Sequence, residues 1–112
     1  MTIALLTSIE WHDLPVAMLA ITECGIELVV TPWIETSGAY ARCALRIADP
    51  ESLQLDVNGA LSVKDFSDLE VSKFDFTVSQ TNRLSGTMGI LPGEAGFWTI
   101  SFVNAIWSFE SV

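Results

Sequence analysis

Positive charge is scarce in this sequence. Five lysines and arginines stand against 14 acids, for a net charge of -9. Nucleic acid is therefore not an expected ligand, because phosphate contacts need a basic surface. There is one histidine, His12, and only two cysteines, Cys24 and Cys43, in no metal spacing. That excludes a disulfide-framed scaffold and the common zinc motifs. The two cysteines are expected as reduced, buried thiols, with a Cys24–Cys43 disulfide as the alternative. No apolar run approaches the ~20 residues of a membrane span. The longest, Leu14 to Ile21, is short and contains Pro15. The N-terminus, MTIALLTSIEW, has no basic region and too short an apolar core for a signal peptide, so a cytoplasmic protein with no membrane contact is expected. No serine or cysteine motif, no lysine beside an apolar strand and no carboxylate pair stands out. Enzymatic activity, cofactor and metal are accordingly not expected.

What is present is apolar. Half of the 112 residues are hydrophobic and only 17% are charged, which argues against disorder and for one domain over residues 1–112. A chain of this size buries roughly 65% of its unfolded surface, enough for its own core. The organising stretch is Leu14–Ile34. It reads as two strands folded back at Cys24-Gly25, where glycine takes φ > 0 without steric cost. Leu14–Thr22 is apolar on both faces and is expected in the centre, covered by the other strands. After the turn, Ile26, Leu28, Val30 and Ile34 share one face, opposite Glu27 and Thr31.

Further strands follow in order. Thr2–Thr7 is a short apolar segment read as a strand. Tyr40–Asp49 alternates Cys43, Leu45 and Ile47 against Arg42, Ala44 and Arg46, and the two arginines are expected to face acids on neighbouring strands. Asp49-Pro50-Glu51 makes a turn. Ser52–Asn58 places Leu53, Leu55 and Val57 inward and Gln54, Asp56 and Asn58 outward. Asn58-Gly59 is the strongest hairpin signal, with Leu61 and Val63 in the returning segment. Lys64–Glu70 is the one place for a helical turn. Val71–Ser79 alternates Phe74, Phe76 and Val78 against Lys73, Asp75 and Thr77. Thr81-Asn82 turns the chain into Leu84–Leu91, where Gly86 and Gly89 mark a bulge or a close backbone approach. Pro92–Gly96 is a loop, and Phe97–Val103 and Ile106–Glu110 are two last strands joined near Asn104-Ala105. About eight strands at 8–12-residue spacing, with at most one short helical turn, predict a mainly β fold: an antiparallel β-sandwich or partly open barrel.

Few residues suggest chemistry. His12 beside Asp13 forms an acid–base pair only if the backbone bends, since adjacent strand residues face opposite ways. The acids Asp65, Asp68 and Glu70 lack the regular ligand spacing of a calcium loop and read as a solvated loop. Of four tryptophans, Trp11, Trp98 and Trp107 fall in core-like patterns. Trp33, beside Pro32 at a strand end, is expected to be partly exposed, and a sugar-binding sandwich would use Trp33 or Tyr40 with nearby carboxylates and amides. Strands this apolar also invite a second copy of the chain over an edge strand, giving a homodimer.

Three features together resemble small β-rich immunity proteins of bacterial toxin systems. They are Trp11-His12-Asp13 leading into an apolar strand, the Leu53–Val57 strand ending in Asn58-Gly59, and the closing Phe102 to Trp107 strands. The resemblance implies an acidic inhibitor that plugs a basic toxin, with Asp65, Asp68, Glu70, Asp49, Glu51 and Asp56 as contact candidates. The composition itself leads to a non-catalytic acidic protein that binds a basic protein partner, steered by long-range charge and fixed by aromatic anchors such as Trp33. The alternatives are a β-domain that binds a sugar or apolar small molecule, and a structural subunit of a homo-oligomer.

Overall fold

The computed structural model describes residues 3–59, 64, 67–92 and 97–112. Among these residues are one α-helix, α1 (Ile3–Ser8), and nine strands. These are β1 (Leu14–Thr22), β2 (Gly25–Val30), β3 (Trp33–Ile34), β4 (Ala39–Tyr40), β5 (Cys43–Ala48), β6 (Ser52–Asn58), β7 (Leu69–Val78), β8 (Leu84–Pro92) and β9 (Phe97–Ser111). Seven strands form one antiparallel sheet in the order β5-β2-β1-β7-β8-β9-β6, and β3 and β4 form a small hairpin of their own. An additional β5–β9 pairing closes six of the seven into a circuit, with β6 outside it. The fold is mainly β, as the alternating pattern predicts, in the form of a partly open barrel.

The circuit closes unevenly. β2 pairs with β5 along its whole length, from Gly25–Ala48 to Val30–Cys43. β1 meets β7 only at Leu14–Val71 and Pro15–Glu70. β1 thus lies between two strands, yet beyond Pro15 the edge that faces away from β2 is unpaired among the described residues. Met18 and Ile21 are exposed as a result, which corrects the expectation that other strands cover this segment.

The core lies inside the circuit. Leu28, Leu45 and Phe109 occupy one row of cross-strand partners, and Phe74, Met88 and Ile100 another; all are buried. The N-terminal segment is a helix, not a strand. Leu5 and Leu6 on the helix, and Ile9 just after it, pack on the core. Trp11 follows, edge-on to Phe74 at 5.2 Å, and its indole N–H donates to the Leu6 carbonyl at 3.1 Å. This aromatic contact and hydrogen bond fix the helix to the barrel.

The two last strands are one. β9 runs unbroken over 15 residues, and Asn104 absorbs the bend with φ 52°. Asparagine tolerates this left-handed conformation better than most residues. The Ser85 hydroxyl accepts the Asn104 N–H at 2.9 Å and holds the bend. The helical turn expected over Lys64–Glu70 is described at Lys64, Ser67 and Asp68, where Ser67 Oγ donates to the Lys64 carbonyl at 2.7 Å; Leu69 and Glu70 already belong to β7. The segment expected to return after Asn58-Gly59, with Leu61 and Val63, lies outside the described residues, as does the rest of the Pro92–Gly96 loop after Pro92.

Glycine is required at the β1–β2 turn. Gly25 has φ 142°, and a Cβ there would collide with the Ile47 carbonyl oxygen of the neighbouring strand. Gly38, with φ 65°, has open space around it. Backbone strain alone costs about 1–3 kcal/mol. Gly25→Ala is therefore expected to lower unfolding stability by more than Gly38→Ala does, because it adds a backbone clash to the strain. Urea denaturation of the two variants checks this, and equal losses would contradict the close β2–β5 approach.

Candidate interaction surface

The largest departure from the sequence pattern is β6. Its pairing with β9 sets Leu53 beside Phe102, Leu55 beside Ile100 and Val57 beside Trp98. These three partners are core residues, so the β6 row points to the core face of the sheet as expected. It is nonetheless not buried. Leu53, Leu55 and Val57 remain 38%, 43% and 42% exposed, and every residue from Ser52 to Asn58 is exposed. The reason is topological. β6 continues the line of β5 along the same edge of β9, but β2 ends at Gly25 opposite Ala48. Beyond Ala48 no strand among the described residues lies on that side. Among the described residues β6 pairs with β9 alone, so one edge of its backbone has no strand partner.

The turn that launches β6 is acidic. Asp49 adopts φ 47°, and the Glu51 N–H donates to the Val103 carbonyl at 2.8 Å, which holds the chain against β9. Asp49 and Glu51 line a polar cleft of about 420 Å³ with Ser79, Thr81, Arg83 and Asn104. Neither acid makes an ion pair among the described residues. Asp56 projects from the outward face of β6, where the Gln54 amide donates to it at 3.1 Å.

The remaining sequence candidates lie elsewhere. Asp68 is exposed just before β7, and Glu70 is half-buried on β7 opposite Pro15 and Leu91. Asp65 falls outside the described residues. β6 and β7 are separated in the sheet by β9 and β8, so Asp49, Glu51 and Asp56 form one group and Asp68 with Glu70 another. Trp33 stands apart from both. It sits in the β3–β4 hairpin before β5, whereas Asp49 and Glu51 follow the other end of β5. Trp33 is 49% exposed and meets Tyr40, 71% exposed, edge-on at 5.2 Å. Trp11 and Trp98 are buried and Trp107 is half-buried. The sequence reading missed the exposure of Leu53, Leu55 and Val57. Alternation shows which face a residue takes, and only strand order shows whether that face is covered.

Other polar groups have local roles. Arg46 faces acids on both neighbouring strands, with Nε donating to Glu27 at 2.6 Å and Nη1 to Glu110 at 3.5 Å. Arg42 is exposed and makes no ion pair among the described residues. Cys43 is buried, which pushes its thiol pKa up, whereas Cys24 is exposed at the β1–β2 turn; both are free. No group of three or more metal-binding side chains occurs among the described residues. The apolar cavity inside the barrel is about 10 Å³, near the lower limit for one water. No helix among the described residues is long and apolar enough to cross a membrane. No family model, curated protein or solved structure matches the chain.

The backbone does bend at His12. Asp13 has φ 61°, which brings its carboxylate to 3.3 Å from His12 Nε2. Nδ1 of the same ring lies 2.8 Å from the Ser72 carbonyl. Hydrogen bonding to that carbonyl, and then the Asp13 charge, raise the His12 pKa above 6.5. A raised folded-state pKa stabilises the fold fully below the unfolded value of 6.5, and the contribution disappears as pH rises through the folded pKa. His12→Ala is thus expected to cost more stability at about pH 5.5 than at about pH 8. Unfolding of both proteins at the two pH values checks the sign, and an equal cost would contradict it.

Proposed function

We propose that this protein is a non-catalytic acidic interaction domain that takes up an extended, basic segment of a protein partner along β6. The observation that carries this reading is the conjunction at β6 of a backbone edge with no strand partner among the described residues, a half-exposed apolar row and three acids, Asp49, Glu51 and Asp56. Strand addition supplies main-chain hydrogen bonds, and the alternating pockets of the edge supply specificity. Covering the exposed parts of Leu53, Leu55 and Val57 contributes roughly 1 kcal/mol each. The net charge of -9 steers a basic segment toward the chain and weakens that attraction as salt rises. Trp33 and Tyr40 are a separate aromatic anchor at the other end of β5, available to a partner large enough to reach it.

A toxin-neutralising role, implied by the resemblance to immunity proteins, is one setting for this chemistry. An open acidic strand is suited to occupying a basic toxin surface. The barrel cavity of about 10 Å³ has no room for a sugar or an apolar molecule, so the small-ligand alternative would require a site on the surface.

A seven-residue peptide alternating valine and lysine is the defined probe. It is expected to shift the amide resonances of residues 52–58 and to bind more weakly as salt rises. A scrambled peptide of equal composition is expected to bind much more weakly. The triple variant Asp49→Asn, Glu51→Gln, Asp56→Asn is expected to lose roughly tenfold in affinity, since exposed charge pairs are worth ~0.2–1 kcal/mol each. Equal binding of both peptides, or shifts that leave 52–58 unaffected, would contradict strand addition.

A further inference from the structure

β6 reads nearly the same in both directions. Its sequence, Ser-Leu-Gln-Leu-Asp-Val-Asn, has Leu55 at its centre, aliphatic residues two to either side of Leu55, and polar residues in between and at both ends. An antiparallel pairing of β6 with a second β6 about a two-fold axis at Leu55 places Leu55 opposite itself. Leu53 then meets Val57, Ser52 meets Asn58, and Gln54 meets Asp56. The apolar row stays on one face and the polar row on the other. The charged residue of each strand falls opposite an amide, and within one chain the Gln54 amide already donates to Asp56 at 3.1 Å.

β6 also lacks the features that keep edges apart. Natural edge strands are guarded by lysine, proline or bulges. β6 has no lysine, arginine or proline, and its register with β9 is unbroken across all seven pairs. The edge of β1 that β7 leaves open is different: it follows Pro15, and β1 carries an irregularity between Val16 and Met18.

From these observations we infer that free chains associate as a two-fold dimer through β6–β6 pairing centred on Leu55, and that a partner strand must displace the second copy. This inference rests on the reading of β6 as a strand-accepting edge. It adds a regulation to that reading, because self-pairing and partner binding exclude each other. It also gives the two associations opposite salt responses. Two chains of charge -9 repel, so screening strengthens the dimer. A basic segment is attracted, so screening weakens its binding. The interface is small, and the dimer is accordingly weak and concentration-dependent.

Cysteine trapping tests the register in the full chain, with Cys24→Ser to remove the exposed thiol. Two residues opposite each other in an antiparallel pair have Cα atoms about 4.5–5.5 Å apart, within disulfide reach. Leu55→Cys is expected to form a disulfide-linked dimer under mild oxidation. Gln54→Cys alone is expected to cross-link at least about tenfold less, because its copies sit diagonally, beyond the ~7 Å limit. Mixing Gln54→Cys with Asp56→Cys is expected to restore the cross-link. Sedimentation of the unaltered chain is expected to show a dimer fraction that grows with salt. Circular dichroism confirms that each variant is folded. Cross-linking of Leu55→Cys no better than Gln54→Cys overturns the inference, as does a monomer at every concentration and salt. If the alternating peptide still shifts residues 52–58 in that case, strand addition stands and only self-pairing falls. If the peptide fails while Leu55→Cys cross-links, the reverse holds.

Discussion

The length of the β1–β2 hairpin decides what the rest of this protein presents to solvent. β2 begins at Gly25, opposite Ala48, because the chain turns there out of β1. A side chain at position 25 would strike the Ile47 carbonyl, so the turn is locked close against β5. β9, by contrast, runs on for its full 15 residues and needs a neighbour along all of them. The chain after β5 supplies that neighbour as β6, displaced by the Asp49–Glu51 turn. One side of β6 is satisfied by β9, and the hairpin is too short to reach the other. Among the described residues the open edge is a consequence of strand lengths, and it exists in a fold whose core is otherwise well filled.

That core explains why the edge is not simply absorbed. Helix α1 packs on the core through Leu5 and Leu6, Trp11 packs against Phe74 and Phe109, and the apolar cavity inside the barrel is about 10 Å³. Close packing of this kind resists the backbone shifts that would fold β6 inward. The bend at Asn104, held by Ser85, sends the two halves of β9 to different partners, β8 and β6 on one half and β5 on the other. Surface charges contribute little to this arrangement. The described ion pairs around Arg46 and Lys73 lie at the surface, and such pairs are worth ~0–1 kcal/mol. The surplus of carboxylates is thus free to act at longer range, on solubility and on the approach of partners.

Much of the fold was legible because β-strands announce themselves by alternation. The turn at Cys24-Gly25, the alternation of Phe74, Phe76 and Val78, and the turn at Thr81-Asn82 all appear where the pattern places them. The close approaches at Gly86 and Gly89 are real: a Cβ on Gly86 would lie 2.7 Å from the Asp75 carbonyl oxygen, and one on Gly89 would meet the Ser72 hydroxyl. Two differences have separate local causes. Ile3–Ser8 was too short for its helical period to show, and the Asn104 bend looked like a loop because polar residues at φ > 0 serve both purposes. The site was less legible. Asp49, Glu51 and Asp56 were identifiable as acids, but their union with an open strand depends on which strand ends the sheet. Non-local pairing of that kind leaves no trace in a local pattern.

The central claim is that β6 offers an open strand edge, and amide hydrogen exchange measures it most directly. In a dilute solution of the free chain, amides of β6 that point to β9 should be protected and the alternating ones should exchange rapidly. The rapid set should become protected when an extended peptide occupies the edge. Protection of every amide from Leu53 to Asn58 in the dilute free chain would mean that the edge is already covered within the monomer, and would contradict the account.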